Sequence, residues 1–125
     1  MDSTLNYGNE TDDEIVKRQM HRELQTWISH LEAMNTEADQ LAKIASNKIN
    51  DKTLCDGLLD NINENINLLN EFYTYRNVMN NIRECDELEC DQFYMLQHDQ
   101  VFDKYMEGVD NYRSVKDKVY QKLLN

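Results

Sequence analysis

From Met20 to Ala45, apolar side chains recur at alternating steps of four and three: Met20, Leu24, Trp27, Leu31, Met34, Ala38, Leu41 and Ala45. An α-helix of 3.6 residues per turn brings such a series onto one face, and a stripe this narrow and long is buried by other long helices crossing at a shallow angle. Ile28 and Ile44 widen the stripe. Its beginning is marked as well. Thr11-Asp12-Asp13-Glu14 has the capping-box pattern, with a hydroxyl for an exposed N–H and a glutamate reaching back, and Ile15 and Val16 follow.

The remainder offers little that would interrupt helices. The 125 residues contain no proline and only three glycines, Gly8, Gly57 and Gly108, so the turn residues that a sandwich or barrel needs are missing. Asn47 to Lys52 reads as a polar connection, after which Thr53 or a neighbour caps a second helix. That helix carries Cys55, Leu58, Leu59, Ile62, Ile66, Leu69, Phe72, Tyr73, Met79 and Ile82 at helical spacing and ends near Arg83 to Glu87. Five asparagines between positions 61 and 70 lower its intrinsic propensity, so tertiary packing has to hold it. A third helix is expected from Glu87 or Asp91 to Leu124, with Phe93, Leu96, Val101, Phe102, Tyr105, Val109, Tyr112, Val115, Val119 and Leu123 as its apolar stripe. Gly108 in its middle costs about 1 kcal/mol against alanine, which a close approach between helices would explain.

The expected fold is therefore all-α: an elongated antiparallel three-helix bundle, up-down-up and coiled-coil-like. Residues 1–12 form a flexible acidic tail and residues 13–125 a single domain, the size at which one continuous core is the rule. A break of the third helix near Cys90 would give four helices instead. Trp27 belongs to the core, whereas Tyr75, Tyr94 and Tyr120 are expected to be exposed.

Charge narrows the list of partners. The formal net charge is −11, which opposes direct binding to a phosphate backbone and favours a protein partner with a basic surface. From Glu84 to Asp110 there are nine acidic residues against Lys104 alone, while Asn111 to Asn125 carries four basic residues against Asp117. The acidic run supplies the candidate protein-binding residues Glu84, Asp86, Glu87, Glu89 and Asp91, with Tyr94 as an aromatic anchor. Acids at helix starts also complement helix dipoles and keep a thin rod dissolved.

Catalytic and metal chemistries find no footing. His98 and Asp103 have one spacing found in hemerythrin-like bundles, but the H-x-x-x-E and H-x-x-x-H pairs such a centre also needs are missing, as is any ferritin-like E-x-x-H. Asp86 to Asp99 lacks the glycine and the twelfth-position glutamate of an EF-hand. No phosphate-cradling glycine loop, nucleophile elbow or zinc-protease motif occurs. The expectation is a protein that is not an enzyme and needs no cofactor or metal. Cys55, Cys85 and Cys90 are an odd set without C-x-x-C spacing, in keeping with reduced thiols. With no apolar run long enough for a membrane span and no targeting segment, the expected compartment is the cytosol.

Glu23-Leu24 with Trp27 and Leu31, Phe72 to Ile82, and His98 leading to Tyr112, Lys116, Tyr120 and Leu123-Leu124 carry a resemblance that covers residues 14–124. In these the chain resembles a group of small uncharacterised helical-bundle proteins of flavobacteria and their relatives. The resemblance implies a helical bundle of bacterial origin, without an activity or a catalytic residue to carry over. The expected function is thus non-catalytic protein–protein interaction, with self-association as one form of it. The alternative is a small acidic inhibitor of the phage anti-defence or anti-CRISPR type, occupying a basic nucleic-acid-binding surface of a target enzyme.

Overall fold

The structure is a computed structural model that describes residues 12–81 and 88–125, apart from the side chains of 13, 81 and 88–91. Residues 1–11 of the expected tail and the turn that follows the second helix lie outside the described residues, as do Cys85 and Ile82; Asp12, assigned to the tail, opens the first helix. Among the described residues the chain is all-α: α1 spans Asp12–Ile44, α2 Lys52–Asn81 and α3 Leu88–Leu124. α3 runs unbroken through Cys90, so the four-helix variant is not adopted.

The join between α1 and α2 is shorter than the sequence suggested. Helical winding continues through a π turn, Ala45–Ile49, and stops at Asn50, whose φ of 57° and ψ of 38° are left-handed. Asparagine tolerates that conformation better than most side chains, and the N–H groups of Asn50 and Asp51 then both return to the Ala45 carbonyl. Asp51, not Thr53, caps α2: its Oδ1 accepts the Leu54 N–H at 3.0 Å. Asp51→Ala should accordingly cost about 1 kcal/mol in urea unfolding, and Thr53→Ala only a few tenths.

Cross-contacts order the helices against one another. Along α1 and α2 they run in opposite directions, Asn35 with Asn65, Glu32 with Tyr73 and Gln25 with Arg76. Along α2 and α3 they again run oppositely, Glu71 with Lys104 and Tyr75 with His98. Along α1 and α3 residue numbers rise together. α1 and α2 pack closely along their length, and α3 lies against them less tightly.

Each helix buries a four-three stripe. On α1 it is the one expected, with Leu24, Ile28, Leu31 and Ala45 essentially sealed. On α2 the stripe passes through Leu54, Leu58, Asn61, Asn65, Leu69, Phe72, Tyr75 and Met79. That corrects the expectation at three places. Leu59 and Ile66 are exposed, and Tyr75, expected at the surface, is buried. The cause is Asn65, 6 % exposed, whose Nδ2 donates to the Leu31 carbonyl at 2.9 Å and to Asn35 Oδ1 at 2.8 Å. Those bonds offset part of the cost of burying the amide, whose Oδ1 finds no partner among the described residues, and turn Ile66 outward.

On α3 the inner stripe is Tyr94, His98, Val101, Tyr105, Gly108, Tyr112, Val115 and Val119. Phe93, Leu96, Phe102 and Leu123, expected to be interior, face solvent. Gly108 does mark a close approach: a Cβ there would stand 2.8 Å from Leu68 Cδ2.

Candidate functional site

Three rungs join α1 to α3, each one heptad from the next on both helices: Glu23 to His98, His30 to Tyr105 and Glu37 to Tyr112. Seven residues are two helical turns, so parallel helices in register present the same face to each other at every rung. The rungs are polar because α3 offers imidazole and phenol groups where an ordinary seam has leucine.

The first rung is the most enclosed. His98, 7 % exposed, stacks on the Trp27 indole with ring centroids 4.8 Å apart. Its Nδ1 lies 3.2 Å from the Tyr75 hydroxyl and its Nε2 3.6 Å from a Glu23 carboxylate oxygen. A carboxylate beside Nε2 selects the tautomer protonated there, leaving Nδ1 to accept the Tyr75 O–H. At 3.6 Å the Glu23 contact is an ion-pair distance and no hydrogen bond, so Nε2 is buried without one. Burial holds the imidazole below its ordinary value of 6.5, against the opposing pull of Glu23 and Asp99. Burial and Asp99 push the Tyr75 hydroxyl up to about 12.

The Tyr75 shift has a consequence in alkali. Below the ordinary tyrosine value of 10 the phenol is neutral folded or unfolded; above it the unfolded chain ionises first, so stability falls as pH rises toward 12. Urea unfolding between these values should show a smaller decline in Tyr75→Phe than in the parent protein.

The second rung brings His30 Nδ1 to 2.6 Å from the Tyr105 hydroxyl at an exposed edge. In the third, Tyr112 donates to Glu37, which also pairs with Lys116 at 2.8 Å. Lys116, then Tyr112, holds the Glu37 carboxyl below its usual value; burial and Glu37 raise the Tyr112 hydroxyl. Trp27 joins the first two rungs, resting also on Phe102 at 5.3 Å and Tyr105 at 5.6 Å.

Two depressions lie between α2 and α3. One, of 210 Å3, is bordered by Glu64, Asn65, Glu71, Lys104, Glu107 and Gly108; the other, of 510 Å3, is a wide groove bordered by Tyr75, Val78, Gln97 and Gln100. Among the described residues, no three histidine, cysteine, aspartate or glutamate side chains gather closely enough to hold a metal ion. No helix among the described residues is long and apolar enough to cross a membrane.

Of the residues singled out from the sequence, Glu84, Asp86 and Glu87 lie outside the described residues. Glu89 and Asp91 fall in the first turn of α3, their side chains also outside the description. Tyr94 is half-buried against the core rather than exposed, its ring edge-on to Phe93 with centroids 5.4 Å apart. The His98 rung was not anticipated. Its signal was available in the sevenfold spacing of Glu23, His30 and Glu37 and of His98, Tyr105 and Tyr112.

Compared with protein-family models, curated proteins and solved structures, the chain matches none.

Proposed function

We propose that this chain is a non-catalytic cytoplasmic module, an elongated up-down-up bundle akin to the small bundle proteins of flavobacteria, that works by binding another protein. The observation that carries the reading is the outer surface at the start of α3. Phe93, Met95 and Leu96 are 55 %, 51 % and 58 % exposed, and they directly follow the acidic run that ends at Asp91. Large apolar side chains displayed together, next to like charges, are the composition of a docking surface: the apolar groups give affinity, the carboxylates select a basic partner and speed encounter. The direction of the cross-contacts supports the bundle topology. Self-association through the same surface is the homo-oligomeric form of this reading.

The experiment is affinity capture from a native bacterial lysate with the parent chain and with Phe93→Ser/Leu96→Ser. A partner retained by the first and lost by the second, with helicity unchanged, supports the reading. Identical captures, or none together with a concentration-independent monomer in sedimentation, refute it.

The net charge of −11 favours a second reading, a small acidic inhibitor that occupies the basic nucleic-acid channel of a target enzyme. Reversing the charges of Glu84, Asp86, Glu87, Glu89 and Asp91 together would then abolish inhibition; inhibition that persists rejects it.

A further inference from the structure

His98 is the one buried side chain that the first half of α3 contributes among the described residues; the next is Val109. Around it Tyr94, Val101 and Tyr105 are only half-buried, and Phe93, Met95, Leu96, Phe102 and Met106 are exposed. Residues 92–105 are also held by Phe102 and Tyr105 against Trp27 and by the exposed His30–Tyr105 and Lys104–Glu71 contacts, but the His98 imidazole between Trp27, Tyr75 and Glu23 is the buried member of the set. α1 and α2, by contrast, share a largely apolar interface with many buried side chains along it.

We infer that His98 is an acid-operated latch: protonating it in its slot frees residues 92–105 of α3 from α1 and α2 while those two helices stay paired. The geometry explains the direction. A neutral ring fits because Nδ1 accepts the Tyr75 hydroxyl and the opposite face lies on indole. A protonated ring carries N–H on both nitrogens, so Tyr75 must turn its O–H away and accept instead. The new charge then sits on the apolar side of a helix interface with a single carboxylate, Glu23, 3.6 Å away and half in solvent.

The charged and titratable groups facing the ring are Glu23 from α1, Tyr75 from α2 and Asp99 from α3 itself. Both carboxylates favour the imidazolium, and burial, the largest influence, outweighs them. The freed segment binds the proton more readily than the latched one. The latched state is thus fully favoured above 6.5 and loses ground as pH falls, its opening constant rising by up to about tenfold per pH unit while the difference in proton binding lasts.

The test is amide hydrogen-exchange protection in the full chain, corrected for intrinsic exchange, at neutral pH and about one and two units below 6.5. Trp27 fluorescence provides a second reading, since Trp27 is the only tryptophan and lies on the ring. Expected is a loss of protection of about tenfold or more confined to residues 92–105, with α1 and α2 amides unchanged. His98→Gln, neutral throughout, should lose this response, and Glu23→Gln, which removes the counter-charge, should open at higher pH than the parent. The inference is overturned if protection of α3 stays in step with that of α1 and α2, if the chain opens in one global transition, or if His98→Gln, folded by circular dichroism, responds as the parent does. The parent measurement alone decides the first two outcomes.

Discussion

Phe72→Ala should lower the unfolding free energy by about 3–5 kcal/mol, read as a fall in the urea midpoint of the circular dichroism signal. Phe72 has no exposed surface and sits where the α2 stripe meets the core, so truncation removes the transfer energy of the ring and leaves a hole. A domain of this size has only about 5–15 kcal/mol to lose, so a large fraction of molecules should unfold at modest denaturant. The companion substitution Ile66→Ala tests the phase of α2. Ile66 points outward, and its truncation should stay within about 0.5 kcal/mol of the parent. A loss there comparable to that at Phe72 would mean that α2 is rotated by a residue from the arrangement described.

Trp27→Ala should cost a similar amount, about 3–5 kcal/mol, but with a different distribution. Among the described residues every aromatic partner of Trp27 belongs to α3: His98, Phe102 and Tyr105. Removing the indole therefore strips α3 of its main apolar support while α1 and α2 keep the Leu31, Leu58 and Phe72 contacts of their own interface. Hydrogen exchange should show protection falling most over α3, with the α1–α2 pair retaining most of its protection. Uniform loss along all three helices would show that the indole supports the whole core equally.

How far the residues announced this arrangement differs from helix to helix. The α1 stripe was legible because it is aliphatic or aromatic at every step from Met20 to Ala45, so hydrophobicity and periodicity agree. On α2 they disagree. Choosing the most apolar residues selects Ile62 and Ile66, whereas the unbroken four-three series from Leu58 lands on Asn61 and Asn65, which are buried. The winning term is tertiary, a carbonyl on Leu31 and an amide on Asn35 that no single-helix reading places opposite position 65. The same happens on α3, where large rings at positions 93 and 102 suggested an interior that His98 occupies beside the expected Tyr105. Gly108 was legible as a close approach, because its cost within a helix demands a reason.

The site was legible only as a spacing. Polar residues seven apart on one helix are common on solvated faces, and nothing local reveals that a second set, 75 positions later, faces them. Asn50 and Asp51 were read as generic loop residues, yet their left-handed backbone and capping carboxylate set where α2 begins and hence its phase. The acidic residues from Glu84 to Asp91 enter the proposed docking surface through their charge in the sequence alone, their side chains lying outside the described residues.

The heptad-spaced rungs also fix alignment. Because their chemistries differ, a shift of α3 by one repeat breaks at least one of the present pairs. Slid forward by one repeat, roughly 10 Å, it would set the Glu37 carboxylate against a phenol-free aliphatic neighbour, Val119; slid back, it would face Glu23 with Asp91 and His30 with His98. Three leucine-lined rods would be indifferent to such shifts. The unlike pairs act as the wards of a lock, trading some cohesion for a unique setting, and a version with all six rung residues made leucine should hold together more firmly while no longer knowing where to stop.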